Sequence, residues 1–215
     1  MIICKGAVIM RLTREQLIEA VSSQMPARRW QHTLGVMQSA IELAERYGAD
    51  PQRAELAAIV HDVAKYWPVH RQAAVIAENG LNTDLLNYDA PLWHSEVGAH
   101  VAEQEYGIED REVIDAIRYH TSGREEMTLL DKVVCLADYI EPGRDFPGVA
   151  LIREKALLSL EEGLIAGFDS TIRVLLERGQ TIFPTTVLAR NDLLRQLATR
   201  EQAAQTRPVT ENKGG

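Results

Sequence analysis

The stretch Leu56-Ala57-Ala58-Ile59-Val60-His61-Asp62-Val63-Ala64-Lys65 limits what this chain can fold into more than any other. Apolar residues fall on nearly every side of a helix here, the pattern of a helix packed all round, yet His61 and Asp62 stand in its middle. An ionised carboxylate without partners is costly in an apolar interior, so the fold must supply hydrogen-bonding neighbours or a cation. A metal ion answers the need well. Adjacent side chains on a helix point about 100° apart, so His61 and Asp62 can both reach an ion against the helix flank if other helices bring the remaining ligands.

Those other helices are legible. Thr13 and Gln16 have capping-box spacing for a short first helix towards Pro26. Leu34, Met37, Ile41 and Ala44 then recur at helical spacing between Trp30 and Tyr47, with His32 in the first turn. The central helix is expected from about Gln52 to Tyr66, stopped by Pro68. Further helices are expected over His70–Asn79, His94–Tyr106, Glu109–His120 and Asp131–Ile140, with an irregular passage from Leu81 to Leu92. Leucines at positions 157, 160, 164, 175 and 176, with Phe168 and Ile172, trace one continuous helical face from Ala150 to Arg178. A last helix runs from Thr185 to about Arg200. No strand pattern and no repeat stand out, so the expected architecture is an all-α helical bundle.

The chain of 215 residues suits one domain, over about 13–200, between an N-terminal extension of residues 1–12 and a polar, disordered tail of 201–215. A net charge of −8 argues against binding nucleic-acid polymers or anionic membranes, which needs clustered Lys and Arg. No run approaches the roughly 18 apolar residues of a membrane span, and the apolar opening lacks the layout of a signal peptide. Cys4 and Cys135 do not form a disulfide framework, which fits a reducing cytoplasm.

Asp138 repeats the anomaly of Asp62, as a second carboxylate inside an apolar helix, Val133 to Ile140. Two such anomalies suggest one shared cation. Imidazole and carboxylate together suit iron, manganese, cobalt or zinc. Singly, each helical His reads as an ordinary core or surface residue; the order His32, His61-Asp62, His94, His120, Asp138 on successive helices turns the balance for His61, Asp62 and Asp138. His94 and His100, six residues apart, differ by about 120° in direction, so only one can belong; His94, at a helix start, is the candidate and His100 is structural. Lys65 lies one turn beyond His61 and Asp62 and suits a phosphate contact, or equally a solvated lysine complementing a helix end. His70 reads as a surface residue and Arg118 as facing solvent.

These residues resemble the HD-domain metal phosphohydrolases, named for a pair such as His61-Asp62. The segments Arg29-Trp30-Gln31-His32-Thr33-Leu34-Gly35-Val36, His120-Thr121-Ser122-Gly123, Leu130-Asp131-Lys132 and Ala137-Asp138-Tyr139-Ile140-Glu141-Pro142, with Arg144 and Phe146-Pro147-Gly148-Val149, are similar to the YqeK-type bacterial symmetrical diadenosine tetraphosphatases. The late Ala189-Arg190-Asn191 extends the likeness, which spans roughly residues 13–195. It implies an HD-domain bundle in which His32, His61, Asp62 and Asp138 hold iron or a similar ion. It further implies that His94 and His120, with Lys65, Thr121 and Arg144, engage the phosphates or the nucleoside of an ADP unit; Arg29, next to His32, is a further candidate contact. The implied reaction is attack of metal-activated water on an inner phosphorus of a dinucleoside polyphosphate, leaving two ADP, with Asp62 as a candidate proton acceptor. The rivals are another HD phosphohydrolase or phosphodiesterase, acting on other nucleotides, and a nucleotide sensor without turnover. Whether the long leucine-bearing helix packs within the bundle or makes a homodimer stays open.

Overall fold

The computed structural model describes residues 12–205, which form ten α-helices and two short 3₁₀ turns, with no strand among the described residues. The all-α bundle expected from the pattern is the one observed. α1 (Arg14–Ser22) starts on the capping box of Thr13 and Gln16. α2 (Ala27–Tyr47) ends at Gly48 in the left-handed region, and α3 (Pro51–Val60) starts on Asp50, whose carboxylate accepts the N–H groups of Gln52 and Arg53. α4 (Val69–Glu78) leads through the two 3₁₀ turns, Thr83–Asn87 and Ala90–Leu92, into α5 (Trp93–Gln104). α6 (Arg111–Tyr119), α7 (Leu129–Ile140), α8 (Val149–Ala156), α9 (Leu160–Glu177) and α10 (Pro184–Gln205) complete the order.

α2, α3, α6 and α7 pack around one core, with α5 against α6 and the α8–α9 pair against α7. Ile59, Ile114, Ile117, Leu136, Leu164 and Phe168 are at most 1 % exposed in that core. Each such side chain contributes about 1.5–3 kcal/mol by leaving water.

Three expectations need correction. The central helix does not reach Tyr66 but ends at Val60, and the chain tightens through three successive turns, Val63 N–H to Val60 O, Lys65 N–H to Asp62 O and Trp67 N–H to Ala64 O, at 2.9, 2.9 and 3.0 Å. Val60, Val63 and Ala64 are fully buried, so packing on every side holds these turns without a Gly or Pro to mark them. The helix expected over 150–178 is two. Ser159 accepts the Glu162 N–H as an N-cap, and Gly163 lets the two helices meet, since a Cβ there would lie 3.0 Å from the Ala156 Cα. Leu157, which helical spacing put on a buried face, is 63 % exposed in the intervening turn, as is its neighbour Leu158 at 65 %. Lastly, α10 runs to Gln205, five residues into the segment read as tail; residues 1–11 and 206–215, including Cys4, lie outside the described residues.

None of the helices is long and apolar enough to cross a membrane.

Candidate metal centre and phosphate cleft

The end of α3 delivers His61 and Asp62 into the core, where both are fully buried. His32 comes from the second turn of α2, His94 from the start of α5, His120 from the end of α6, and Asp138 from the last turn of α7. Positions spread over the chain thus converge on Asp62. His61 Nε2 lies 3.0 Å and His32 Nε2 3.7 Å from Asp62 Oδ2; His94 Nε2 and His120 Nε2 lie 3.1 and 3.9 Å from Asp62 Oδ1. His32 Nε2 is also 2.9 Å from Asp138 Oδ1.

Three of these imidazoles are set in the same way. His61, His94 and His120 each donate their Nδ1–H to the carbonyl three residues back, Ala58, Pro91 and Ile117, at 2.7, 2.8 and 2.7 Å. A neutral imidazole that donates from Nδ1 has its lone pair on Nε2. The Nε2 atoms of His94 and His120 therefore face each other with lone pairs, 3.2 Å apart. Burial is the main reason that all three stay neutral: it pushes His61 and His94 well below the usual histidine range and His120 down to about 3. Burial works against ionised Asp138, but the close contact with His32 Nε2 and the Arg144 charge outweigh it and hold the carboxyl well below its ordinary value.

His32 Nε2, His61 Nε2, Asp62 Oδ1 and Asp62 Oδ2 are buried and make no hydrogen bond. Imidazole lone pairs and carboxylate oxygens that converge with only the Arg29 guanidinium to answer their charge suit a cation. Ligand atoms within 4.8 Å of one another form two overlapping sets, His32, His61, Asp138 and His61, Asp62, His120. Both sets need His61, whose only free nitrogen is Nε2, since Nδ1 is committed to Ala58.

Basic groups rim this cluster. Arg29 pairs with Asp62, and Lys65 Nζ lies 3.3 Å from His94 Nε2. Burial lowers the Lys65 ammonium to about 8. The Thr121 hydroxyl is 3.0 Å from His120 Nε2. Arg144 grips the Asp138 carboxylate and, through Nε at 2.8 Å, its carbonyl. A cleft of about 1030 Å³ opens here, with His120, Thr121, Asp138 and Arg144 in its wall, and continues between Phe146–Leu151 and the α9 face that carries Ile165 and Ala166.

Of the residues singled out in the sequence, all ten candidates, from Arg29 to Arg144, gather in this region. His70 is exposed and His100 half-buried, and neither belongs to either ligand set. Arg118 does not face solvent: it pairs with Glu96 across α5, a partner on another helix that spacing could not reveal. Asp131 and Lys132 brace the bundle instead, Asp131 through the α7 capping box and Arg124, Lys132 through Glu161. Glu141 is the residue that sequence reasoning missed. It stands one turn after Asp138, a spacing that puts both on one helix face, and it meets His32 Nδ1 at 2.9 Å.

The chain belongs to the HD-domain family, whose model matches residues 29–143. It is 46 % identical over 183 residues to a protein of Bacillus subtilis (strain 168) named bis(5'-nucleosyl)-tetraphosphatase, symmetrical, covering 85 % of this chain and 98 % of that one. A Staphylococcus aureus (strain NCTC 8325 / PS 47) protein of the same name is 38 % identical over 175 residues, with 80 % and 90 % covered. The fold matches the crystal structure, from Clostridium acetobutylicum, of a predicted HD superfamily hydrolase involved in NAD metabolism, with a TM-score of 0.82 and 34 % identity over 86 % of this chain and 98 % of that one.

Proposed function

We propose that this chain hydrolyses diadenosine tetraphosphate at its middle anhydride, giving two ADP. One observation carries the chemistry: the buried Nε2 atoms of His32 and His61, which make no hydrogen bond, converge on the Asp62 carboxylate, whose one charged partner among the described residues is Arg29, beside a cleft into which Asp138, His120 and Arg144 also open. The names of the relatives supply the substrate. In this reading His32, His61, Asp62 and Asp138 hold a transition metal, with iron first and manganese or cobalt as alternatives. When bound, the ion supplies Lewis-acid polarisation of phosphoryl oxygen and makes water acidic near neutral pH.

The protein's own groups do the rest. Water adds to an inner phosphorus as the bond to the bridging oxygen breaks, and that oxygen leaves on ADP. Asp62 takes the proton of the attacking water; His94 and His120, unprotonated at Nε2, are placed to carry it onward. Lys65 and Thr121 meet the non-bridging oxygens, with Arg144 at the cleft wall and Arg29 beside Asp62 adding positive charge, which favours the spread of negative charge in phosphoryl transfer. The cleft along α8 and α9 exceeds what one nucleotide fills and takes the second nucleoside. Cys135, a buried free thiol, fits a reducing cytoplasm.

The test is chromatography of the products formed from diadenosine tetraphosphate by purified protein with added iron or manganese under reducing conditions. ADP as sole product, lost in Asp138→Ala, is expected. ATP plus AMP would place the attack at an outer phosphorus and overturn the substrate placement. Bound metal without turnover would bring forward a different nucleotide or a sensor.

A further inference from the structure

Three of the four histidines at the cluster are aimed by the backbone three residues before them, through the Nδ1–H bonds to Ala58, Pro91 and Ile117. His32 has no such bond. Its Nδ1 meets Glu141 Oε1 at 2.9 Å, from a residue 109 positions away. The surroundings of Glu141 are built for this contact. Its carboxylate is 3 % exposed, and its second oxygen accepts the Gly143 N–H at 2.6 Å. Arg153 clamps the backbone around it, donating to the carbonyls of Ile140, Glu141 and Arg144 at 3.0, 2.8 and 3.0 Å. On α2, Gly35 leaves the space that the carboxylate fills, since a Cβ at Gly35 would run into Glu141 Oε2.

The geometry points to Glu141 as the positioning residue for His32: it accepts the Nδ1–H, fixes the tautomer, and turns Nε2 towards Asp138 and Asp62, with Gly35 as the gap that admits it. The inference rests on the reading of His32 as a metal ligand. A carboxylate behind a ligating imidazole raises its basicity and holds its ring plane, and removing such a partner lowers metal affinity by about 10–100-fold.

Two variants test it. Glu141→Ala removes the acceptor. Gly35→Ala keeps the Glu141 carboxyl but pushes it off His32; the better helix former at that position offsets part of the stability lost with the displaced buried hydrogen bonds. Two readouts apply: long-range ¹H–¹⁵N spectra of the imidazoles in metal-free protein, with His32 assigned by His32→Asn, and cobalt affinity by competition with a chelator. Expected is a proton on His32 Nδ1 in the wild type, held by Glu141, and its loss from Nδ1 in both variants, where Nε2 donates to Asp138 instead. Cobalt affinity should fall about 10–100-fold in both, with Glu141→Gln, whose carbonyl oxygen can still accept, recovering most of it. A wild-type tautomer retained in Glu141→Ala overturns the assignment. Loss in Glu141→Ala alone supports Glu141 and overturns the part given to Gly35. A wild type that binds no cobalt defeats the metal reading, while the metal-free spectra still decide the positioning.

Discussion

Two regions of this bundle bury charge between helices, and they are opposites. Between α7, α9 and α10, Lys132 Nζ donates to Glu161 Oε1 and Gln196 Oε1 at 2.7 Å each, and Arg200 reaches both Glu161 oxygens at 2.9 and 3.0 Å. Every charge there is answered by the chain itself. At the end of α3, Asp62 is more deeply buried and has Arg29 on one oxygen, yet two imidazole lone pairs aim at the same space with no donor to answer them. The first region is a finished brace. The second is incomplete as protein alone, and the difference separates a polar group kept for the fold from one kept for a ligand.

The comparison breaks most sharply at the carboxylates. Asp62→Ala and Asp138→Ala should abolish metal retention, seen by elemental analysis, and lower turnover at least about 10³-fold, roughly 4 kcal/mol in transition-state stabilisation. At the brace, Lys132→Met should do the reverse. It leaves Glu161 partly unpaired in the core and costs about 3 kcal/mol of stability in urea unfolding, the low end for breaking a buried pair because Arg200 remains. Turnover per folded molecule should not change.

Metal should distinguish the regions in a third way. An ion at 100 times its dissociation constant stabilises the native state by about 2.7 kcal/mol, a rise of roughly 5–10 °C in melting temperature for a chain of this size. That rise should persist in Lys132→Met and vanish in Asp138→Ala. The smallest effect is on pH. Burial alone would raise the Glu161 carboxyl, but its bonds from Lys132 and Arg200 outweigh burial and hold it below the usual range. A folded-state pKa below the unfolded one means that this contribution is complete above the ordinary glutamate value and lost as pH falls through the folded value. The acid limb of the metal-free stability curve should therefore be shallower in Glu161→Gln than in the wild type.

Helical spacing made most of the bundle legible, because apolar residues at the third and fourth positions declare a buried face wherever helices are long. The carboxylates Asp62, fully buried, and Asp138, partly so, were legible for a related reason: charge inside such a face is a visible contradiction. The end of α3 at Val60 was not, since tight packing rather than a Gly or Pro bends the chain there. The break at Ser159 carried its own sign, a capping side chain three residues before Glu162, but the leucine period across it spoke louder. Glu141 escaped because its meaning lies in His32 on a distant helix, and the same is true of Arg118 with Glu96.

The dependence of His32 on a residue 109 positions later has a consequence for how the protein is born. His61, His94 and His120 acquire their ring orientation as soon as the backbone just before them folds, whereas His32 must wait until the start of the loop after α7 has left the ribosome and docked. A nascent chain halted before Glu141 lacks the acceptor that orients His32, along with Leu164 and Phe168 of the core.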